Sequence, residues 1–321
     1  MTAEMPFASG GHVPLRDDVE FDLVRRMLER WGASARGIGD DAAIIPPPSD
    51  GASLVVSTDV AVENVHFRRG WLTPEEIGYR ATAAALSDLA AMAAEPTGIL
   101  VALTLPDEWR DNLDEIADGI RSAADGSSAR ILGGDLSGGR DLSLAITVLG
   151  NAARPLLRSG ARPGDRVYVT GIFGGPLAAL EALLAKKEPS RENRARFAHP
   201  VPRIREAQWL ANGGAGSATD VSDGLATDLS NVAAASGVSI SISLDRLPIV
   251  AGVSAADAAA SGEEYELVVT SAAALDTQQF SSVFGIPLTE IGAVEAGRPV
   301  VRVFNRGAPV PTPAGYFHFK R

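Results

Sequence analysis

Short acidic motifs that combine Asp with Gly, Ser or Thr recur along the sequence, and their residue types are suited to binding metal ions. Five of them are Gly39-Asp40-Asp41, Ser57-Thr58-Asp59, Leu86-Ser87-Asp88, Gly133-Gly134-Asp135 and Asp220-Val221-Ser222-Asp223. Hard cations such as Mg²⁺ prefer oxygen ligands, and a neighbouring glycine leaves the backbone accessible. Such a set is hard to explain as unrelated solvated loops. It predicts a site in which several metal ions hold phosphate groups.

Each motif taken alone has a commoner explanation, because Asp-Gly and Ser-Asp often mark a turn or a helix cap. The prediction therefore depends on the whole set and on its placement at the ends of predicted strands. Asp88 differs from the others, because it falls deep inside a predicted helix. Asp has a low helix propensity and a buried charge needs a partner. We interpret Asp88 as functional, with a solvent-facing position as an equally good alternative.

The composition restricts the kind of site and the kind of partner. The chain has 321 residues, of which 45% are hydrophobic, and this predicts a globular protein of two domains. The absence of Cys excludes disulfides and thiolate chemistry, and four His disfavour a histidine-based metal site. A formal net charge of -11 disfavours nucleic acid and anionic membranes as partners. Phosphate ligands remain compatible with it, since acidic side chains reach phosphates through Mg²⁺.

The hydropathy pattern predicts no membrane-bound segment. The sequence lacks any uncharged apolar run of about 18 residues, which is the length that a membrane-spanning helix needs. Its start lacks the basic and apolar regions of a secretory signal. We expect residues 1–17 to form a flexible lead-in and the protein to be cytoplasmic.

The predicted elements alternate between helices and strands and fall into two halves. Residues 151–164 are rich in Arg, Pro and Gly and predict an inter-domain connection, with the boundary near Ala152. A helix is predicted after Thr73, which can form a capping box with Glu76. Further helices are predicted at 18–31, 107–124, 176–186 and 225–235, and strands at 42–45, 54–57, 98–105, 142–150, 166–170 and 239–244.

The glycine run at 171–175 resembles a phosphate-binding loop only superficially. No GxxxxGK[ST] motif occurs in the chain, so a P-loop kinase is excluded, and the spacing also fails the dinucleotide fingerprint. We interpret the run as a tight turn between a strand and a helix. A kinase without a P-loop must neutralise its phosphates by other means, and aspartates that carry two or more Mg²⁺ ions provide them.

The order of the motifs resembles that of the thiamine-monophosphate kinases. The motifs that carry the resemblance are GIGDDAA, STDVAVENVHF, LSDLAAM, GGD, RSGARPGD, VTG, DVSDGL, GEEYEL and the terminal GYFHF, which cover the chain from about Gly37 to its end. DVSDGL and GGD are shared with aminoimidazole ribonucleotide synthetase and selenophosphate synthetase, whereas STDxxVExVHF and GYxHF are specific to the kinases. The resemblance implies an α+β fold of two α/β domains, an N-terminal half-barrel sheet with helices and a C-terminal mixed-sheet domain.

The same resemblance implies a reaction. The γ-phosphate of ATP would be transferred to thiamine monophosphate to give thiamine diphosphate, in the last step of its biosynthesis. ATP would be the co-substrate, several Mg²⁺ ions the cofactors, and the protein a homodimer whose N-terminal halves form a shared β-barrel. Residues 18–151 would form the metal-binding, ATP-binding and dimerisation domain, and residues 152–321 would complete the nucleotide and substrate site.

The resemblance also implies roles for individual residues. The metal ligands would be Asp41, Ser57, Thr58, Asp59, Asp88, Asp135, Asp220 and Asp223. The ATP contacts would be Gly134, Asp135, Arg158 and Ser222, and the thiamine phosphate site would include His66, Glu263 and Tyr316. No general base is predicted, because an already ionised phosphate needs none.

Several of these residues have another explanation when they are taken alone. Arg158 suits phosphate binding, yet it is also a common kind of residue for a solvated linker. His66 alone is more often a structural histidine, and Tyr316 alone a packed aromatic residue. Only their places in the motif set favour the functional interpretation.

Four positions depart from the family's pattern. Ser261 and Glu264 replace the Gly and Asp of GGEDYEL, and Ala85 and Ala93 replace the Asn and Gly of NLSDxAAMGA. We expect these changes to affect substrate geometry and rate more than the class of reaction. Two alternatives stay open. One is another ATP-dependent enzyme of the superfamily, although the lack of Cys counts against selenophosphate synthetase. The other is a non-catalytic sensor of nucleotide or thiamine phosphate.

Overall fold

The computed structural model describes residues 43–45 and 51–316, which form two β-sheets with helices packed on them. The strands are β1 (Ala43–Ile45), β2 (Ser53–Val62), β3 (Glu95–Leu105), β4 (Arg130–Gly138), β5 (Ser143–Ala152), β6 (Arg166–Thr170), β7 (Ala215–Asp220), β8 (Ser239–Ser243), β9 (Leu267–Ser271), β10 (Leu288–Glu295), β11 (Val300–Asn305) and β12 (Ala308–Val310). The helices are α1 (Pro74–Ala91), α2 (Leu113–Gly126), α3 (Gly175–Leu184), α4 (Arg191–Ala198), α5 (Ile204–Asn212), α6 (Leu225–Ser236), α7 (Ala255–Ala260) and α8 (Thr277–Phe284). The predicted lead-in at 1–17, the predicted helix at 18–31 and Asp41 lie outside the described residues.

The first sheet has five strands in the order β1-β2-β5-β3-β4. Its β3 and β4 run parallel, and all its other neighbours are antiparallel. Helices α1 and α2 pack closely together, because glycine stands where their backbones meet. A Cβ at Gly78 would lie 2.1 Å from the Ile116 carbonyl oxygen, and one at Gly119 would lie 1.9 Å from that of Glu75. Any side chain at either position would push the two helices apart.

The second sheet has seven strands in the order β12-β11-β8-β10-β6-β9-β7. Its β11 and β8 are parallel, and its other neighbours are antiparallel. Two mixed sheets with packed helices confirm the predicted fold class. The domain limits at 18–151 and 152–321 stay a prediction. In the described part of the chain, no helix is long and apolar enough to cross a membrane.

Two acidic motifs lie inside strands, where turns were predicted. The strand predicted at 54–57 extends from Ser53 to Val62, so Ser57-Thr58-Asp59 lies within β2 and not at its end. Gly133-Gly134-Asp135 lies within β4. The glycine at 134 is needed for packing, because a Cβ there would lie 1.8 Å from the Val101 carbonyl oxygen of β3. Gly and Asp are rare in strands, which is why the sequence pattern indicated turns at both places.

Other elements agree more closely with their predictions. The capping box of α1 is confirmed, since the Glu76 backbone N–H donates to Thr73 Oγ1 at 3.2 Å and the Thr73 N–H donates to Glu76 Oε2 at 2.8 Å. The glycine run at 171–175 is the predicted turn between β6 and α3.

Two helices differ from their predictions. Helix α1 ends at Ala91, so Asp88 lies in its last turn and not deep within it. The predicted helix at 107–124 starts as a 3-10 helix (Asp107–Asn112).

A buried cluster of ionised side chains joins the second sheet to α4 and α5. Glu266 accepts hydrogen bonds from Arg203 Nε at 2.8 Å and Arg203 Nη2 at 2.6 Å, and from Arg196 Nη1 at 2.6 Å. The Thr170 hydroxyl donates to the same carboxylate at 2.7 Å. Burial alone would raise the pKa of Glu266, but Arg203 and Arg196 hold it below its usual value. Glu266 is therefore an ionised structural anchor.

Glu264, which departs from the family's pattern, belongs to the same cluster. Its Oε1 accepts a hydrogen bond from the Gly174 N–H at 2.6 Å, and its Oε2 pairs with Arg196 Nη2 at 3.0 Å. Burial raises the pKa of Glu264 to about 7, against the opposing effects of Arg196 and of hydrogen bonds from Ser261 and Gly174. The glutamate thus ties residues 261–266 to the turn that starts α3.

Replacing Glu264 by Gln should change how stability depends on pH. A carboxyl group whose pKa rises on folding from 4.5 to about 7 stabilises the fold below pH 4.5, and this contribution is lost as the pH rises through 7. Gln does not titrate, so the melting temperature of Glu264→Gln should rise relative to the wild type between about pH 5 and pH 8. Thermal melts across this range measure the difference.

The substitution also removes the contact with Arg196, which shifts the melting temperature of the variant by a constant amount. This shift does not affect the test, because the test uses only how the difference in melting temperature between variant and wild type changes with pH. A difference that is independent of pH, or that moves in favour of the wild type, would contradict a raised pKa for Glu264.

Candidate functional site

A cleft of about 650 Å³ is lined by residues from both halves of the chain. The predicted site residues that line it are Asp59, His66, Asp88, Asp220, Ser222, Asp223, Glu263 and Tyr316. The first half contributes β2, the turn after it and α1. The second half contributes the end of β7, two later loops, and residues of α3 and α4. The fold therefore brings most of the predicted residues of the described chain to one concave surface.

The last turn of α1 connects the two halves at this cleft. Asp88 Oδ2 accepts a hydrogen bond from Ser57 Oγ of β2 at 2.5 Å. The preceding residue, Ser87, donates from its hydroxyl to Asp220 Oδ2 at 2.6 Å. Neighbouring side chains on a helix point about 100° apart, so a Ser-Asp pair can reach two different partners. The pair fixes the carboxylates of Asp88 and Asp220 relative to each other.

The alternation of β2 separates its three predicted metal ligands. Side chains on a strand point alternately to opposite faces, so Ser57 and Asp59 share one face and Thr58 lies on the other. The Thr58 hydroxyl is hydrogen-bonded to the Thr147 hydroxyl of β5 at 3.1 Å. Asp59 lines the cleft, whereas Thr58 does not. The geometry thus supports Asp59 as a ligand better than Thr58.

Asp228 shapes the loop between β7 and α6 and was missed by the sequence analysis. Its Oδ2 accepts hydrogen bonds from the backbone N–H groups of Ser222, Asp223 and Gly224, at 3.1, 3.0 and 3.1 Å. Burial raises its pKa well above the usual value, Asp223 and Asp220 raise it further, and Arg158 opposes them. An acidic residue in the first turn of a helix is well placed to bind such N–H groups. The spacing of DVSDGLATD, with an Asp in the first turn of α6, could have indicated this role.

Two further segments join this loop to complete one wall of the cleft. The Glu263 N–H donates to the Ser222 carbonyl at 2.7 Å, and the Tyr316 N–H donates to the Asp223 carbonyl at 2.8 Å. On the facing side, His66 Nδ1 accepts a hydrogen bond from the Val62 N–H at 3.1 Å. Backbone contacts with a distant segment thus place Glu263 and Tyr316, whereas His66 is held by a contact with a residue four positions before it.

Some predicted residues do not line the cleft. Gly134 and Asp135 lie on β4, whose 9 residues are all exposed. Arg158 lies in a 3-10 turn (Arg158–Gly160), near enough to Asp228 to lower its pKa, but it does not line the cleft either. Among the departures, Ala93 adopts φ 52°, a left-handed conformation for which glycine is better suited. Ala85 is buried in α1.

The oxygen-rich lining is suited to a hard cation. Asp59, Asp88 and Asp223 present carboxylates to the cleft, and Arg68 adds a guanidinium that stacks 4.7 Å from the centroid of the Trp71 ring. No three His, Asp or Glu side chains of residues 51–316 are already grouped around one metal position. Mg²⁺ commonly binds one or two carboxylates and completes its shell with waters and substrate phosphates. Separated carboxylates therefore fit a metal ion that binds together with a phosphate ligand.

Comparisons with known proteins show the family of the chain. The family model "AIR synthase related protein, N-terminal domain" matches residues 39–152, and "AIR synthase related protein, C-terminal domain" matches residues 162–304. The thiamine-monophosphate kinase of Salmonella typhimurium is 35% identical over 94% of this chain and 98% of its own length. That of Bacillus subtilis is 32% identical over 94% of this chain and 99% of its own length.

A solved structure shows the same fold. AaThiL complexed with AMPPCP and TMP matches with a TM-score of 0.82 and 30% identity, over 94% of this chain and 97% of its own. Sequence and structure thus agree over nearly the whole length of each of these relatives. The chain belongs to the thiamine-monophosphate kinases, within the family of AIR synthase related proteins.

Proposed function

We propose that the protein transfers the γ-phosphate of ATP to thiamine monophosphate and releases thiamine diphosphate. The observation that carries this proposal is the cleft between the two halves, where Asp59, Asp88, Asp220 and Asp223 converge in a chain of this family. The complex of AaThiL with AMPPCP and TMP supports a nucleotide and a thiamine phosphate as ligands. The reaction consumes ATP, so we place the enzyme in the cytoplasm.

The protein's part in the reaction is to align two phosphates and to neutralise their charge, since phosphoryl transfer needs little covalent chemistry from the enzyme. We assign the binding of Mg²⁺ to Asp59, Asp88, Asp220 and Asp223. The bound ions would offset the negative charge of the phosphates. Ser57 and Ser87 hold two of these carboxylates in fixed orientations.

The acceptor phosphate needs no proton removed by the protein. The second pKa of a phosphate monoester is about 6, so the attacking oxygen is already ionised near pH 7. Asp228 is buried and its Oδ2 accepts three hydrogen bonds from the backbone of the loop at 222–224, so we assign it to positioning Ser222 and Asp223 and not to acting as a base. The absence of an assigned general base therefore agrees with the chemistry.

We assign the thiamine phosphate to the part of the cleft formed by His66, Glu263 and Tyr316. A carboxylate and an aromatic ring suit a cationic heteroaromatic group such as the thiazolium of thiamine. Leu177 and Phe197 add an apolar surface at this cleft. Of the residues predicted to bind ATP, Ser222 lines the cleft, and we assign it a contact with ATP. Gly134, Asp135 and Arg158, which were also predicted to bind ATP, do not line it.

We also propose that the enzyme is a homodimer that pairs through β4. This strand forms one edge of the first sheet as described, and Ile131, Leu132 and Leu136 on it are 50%, 51% and 57% exposed. An edge strand with large exposed apolar side chains is a typical surface for pairing with a second copy. Such pairing would cover Gly134 and Asp135 and give the exposed strand a partner.

The reaction is tested directly by measuring thiamine diphosphate. Purified protein given thiamine monophosphate, ATP and Mg²⁺ should form it, and excess EDTA should abolish the product until Mg²⁺ is restored. Chromatography after oxidation to fluorescent thiochromes separates substrate and product, and ADP in place of ATP is the control. Saturable ATP binding without any product would contradict the proposal and favour a non-catalytic sensor.

Asp59→Asn should reduce kcat by about 100-fold or more, because it removes a carboxylate assigned to metal binding. Its melting temperature should change little, since Asp59 is exposed and its hydrogen bond is to the N–H of the adjacent Val60. Asp118→Asn is the control, an exposed aspartate on α2 that pairs with Arg121. A loss of stability that parallels the loss of activity would show that Asp59 is structural.

Leu136→Glu should convert the proposed dimer into a monomer, because it places a charge on the apolar edge strand. Light scattering coupled to size exclusion measures the mass at several protein concentrations. Val283→Glu is a matched control, since Val283 is 54% exposed but lies on α8. A monomeric wild type, or a Leu136→Glu variant that stays dimeric, would contradict pairing through β4.

A further inference from the structure

We propose that Arg80 is a positioning residue for the acceptor substrate, which holds His66 and Glu263 in the geometry that recognises thiamine phosphate. The inference rests on the proposed function and adds a residue that no sequence motif indicated. Arg80 lies on α1, two turns before Asp88, and is only 5% exposed.

The guanidinium of Arg80 links the two walls of the cleft. Its Nη1 donates to the His66 carbonyl oxygen at 2.8 Å, and its Nη2 forms an ion pair with Glu263 Oε2. His66 belongs to the first half of the chain and Glu263 to the second, and both line the cleft. A single side chain therefore sets the distance between two residues assigned to the substrate.

The plane of this guanidinium is fixed by a third contact. Its Cζ lies 4.4 Å from the centroid of the Phe197 ring, on α4. A planar guanidinium stacked on an aromatic ring keeps its donors in defined directions. Lys has a single flexible ammonium group and would not reproduce this arrangement.

The backbone around Glu263 leaves its side chain few other positions. Glu263 and Tyr265 have φ 59° and 51°, left-handed conformations that are uncommon for residues other than glycine. Their N–H groups donate to the Ser222 and Val221 carbonyls at 2.7 and 2.9 Å. Such a conformation persists where the surroundings fix it, and these residues cluster at ligand sites. The backbone thus aims Glu263 at Arg80, and Arg80 orients its carboxylate within the cleft.

Stability alone does not explain an arginine at this position. Its Nε is buried and has no hydrogen-bond partner among residues 51–316. A buried donor without a partner is unfavourable, and an apolar side chain packed on Phe197 would avoid this cost. We therefore infer that the arginine at position 80 serves to orient its two partners, His66 and Glu263.

The experiment measures KM for both substrates in Arg80→Met. We expect the KM for thiamine monophosphate to rise about 10- to 100-fold, as for loss of hydrogen bonds to charged groups, while the KM for ATP changes by less than about 3-fold. The control is Arg194→Met. Arg194 pairs at 2.6 Å with Glu76, which lies one turn before Arg80 on α1, so the control breaks a second ion pair between the halves. It should leave both KM values within about 2-fold of the wild type.

A second variant tests whether Arg80 acts through Glu263. Glu263→Gln should raise the same KM, and the double variant should fall well short of the product of the two single effects, because both changes remove the contact between Arg80 and Glu263. Equal increases in both KM values, or effects of the two changes that multiply, would overturn the inference. If near-ultraviolet circular dichroism shows that Arg80→Met is unfolded, Arg80→Lys replaces it in the cycle, with an intermediate rise expected.

Measuring the wild type in parallel distinguishes a failure of the proposed function from a failure of the role proposed for Arg80. An inactive wild type would overturn the proposed function and this inference with it. An active wild type with an unchanged KM for thiamine monophosphate in Arg80→Met would overturn only the role of Arg80.

Discussion

The hydrogen bonds made by Ser87 and Asp88 at the end of α1 are the contacts on which the cleft depends. Asp88 is bonded to Ser57 in the first sheet, and Ser87 is bonded to Asp220 at the end of a strand in the second. Neither bond is unusual by itself, but together they fix two carboxylates from opposite halves of the chain. The close packing of α1 on α2 at Gly78 and Gly119 holds this helix in place. The cleft is therefore built around the end of one well-packed helix.

Arginines pair with carboxylates both beside the cleft and on its wall. Glu266 is neutralised by Arg203 and Arg196, and Glu263 is paired with Arg80. Burial is the main reason why the pKa of Asp228 is raised, and Asp223 and Asp220 raise it further, so these residues form a concentration of three carboxylates near the loop at 220–224. Such a concentration is unfavourable unless cations reduce it. Positive charge brought with the nucleotide would relieve the repulsion and bind the phosphates through the same interaction.

The sequence predicted the parts of this structure that depend on local patterns. The capping box at Thr73, the turn at 171–175 and the two mixed α/β layers all follow from short-range chemistry or from the resemblance to the family. The acidic motifs at 57–59 and 133–135 were wrongly placed in turns. Gly134 is required by the close approach of β3, and no local pattern reveals that contact.

The residues that sequence reasoning missed act through contacts between distant parts of the chain. Arg80 and Glu263 are separated by 183 positions, so nothing in the periodicity around either residue indicates the pair. Asp228 differs, because its place in the first turn of α6 was visible in the sequence and its three backbone bonds follow from that place. Whether a charged residue is structural or functional therefore depends on its partners in the folded protein, and the residue type alone does not show it.

In the proposed reaction, aspartates from both halves of the chain would hold the cations that neutralise the two phosphates. A crystal structure with AMPPCP, thiamine monophosphate and Mn²⁺, with anomalous maps to locate the metal, would test this assignment. We expect anomalous peaks about 2.0–2.3 Å from carboxylate oxygens of Asp59, Asp88, Asp220 or Asp223, each also in contact with a phosphate oxygen. Peaks bound only to phosphates and water, with no aspartate from either half among their ligands, would contradict it.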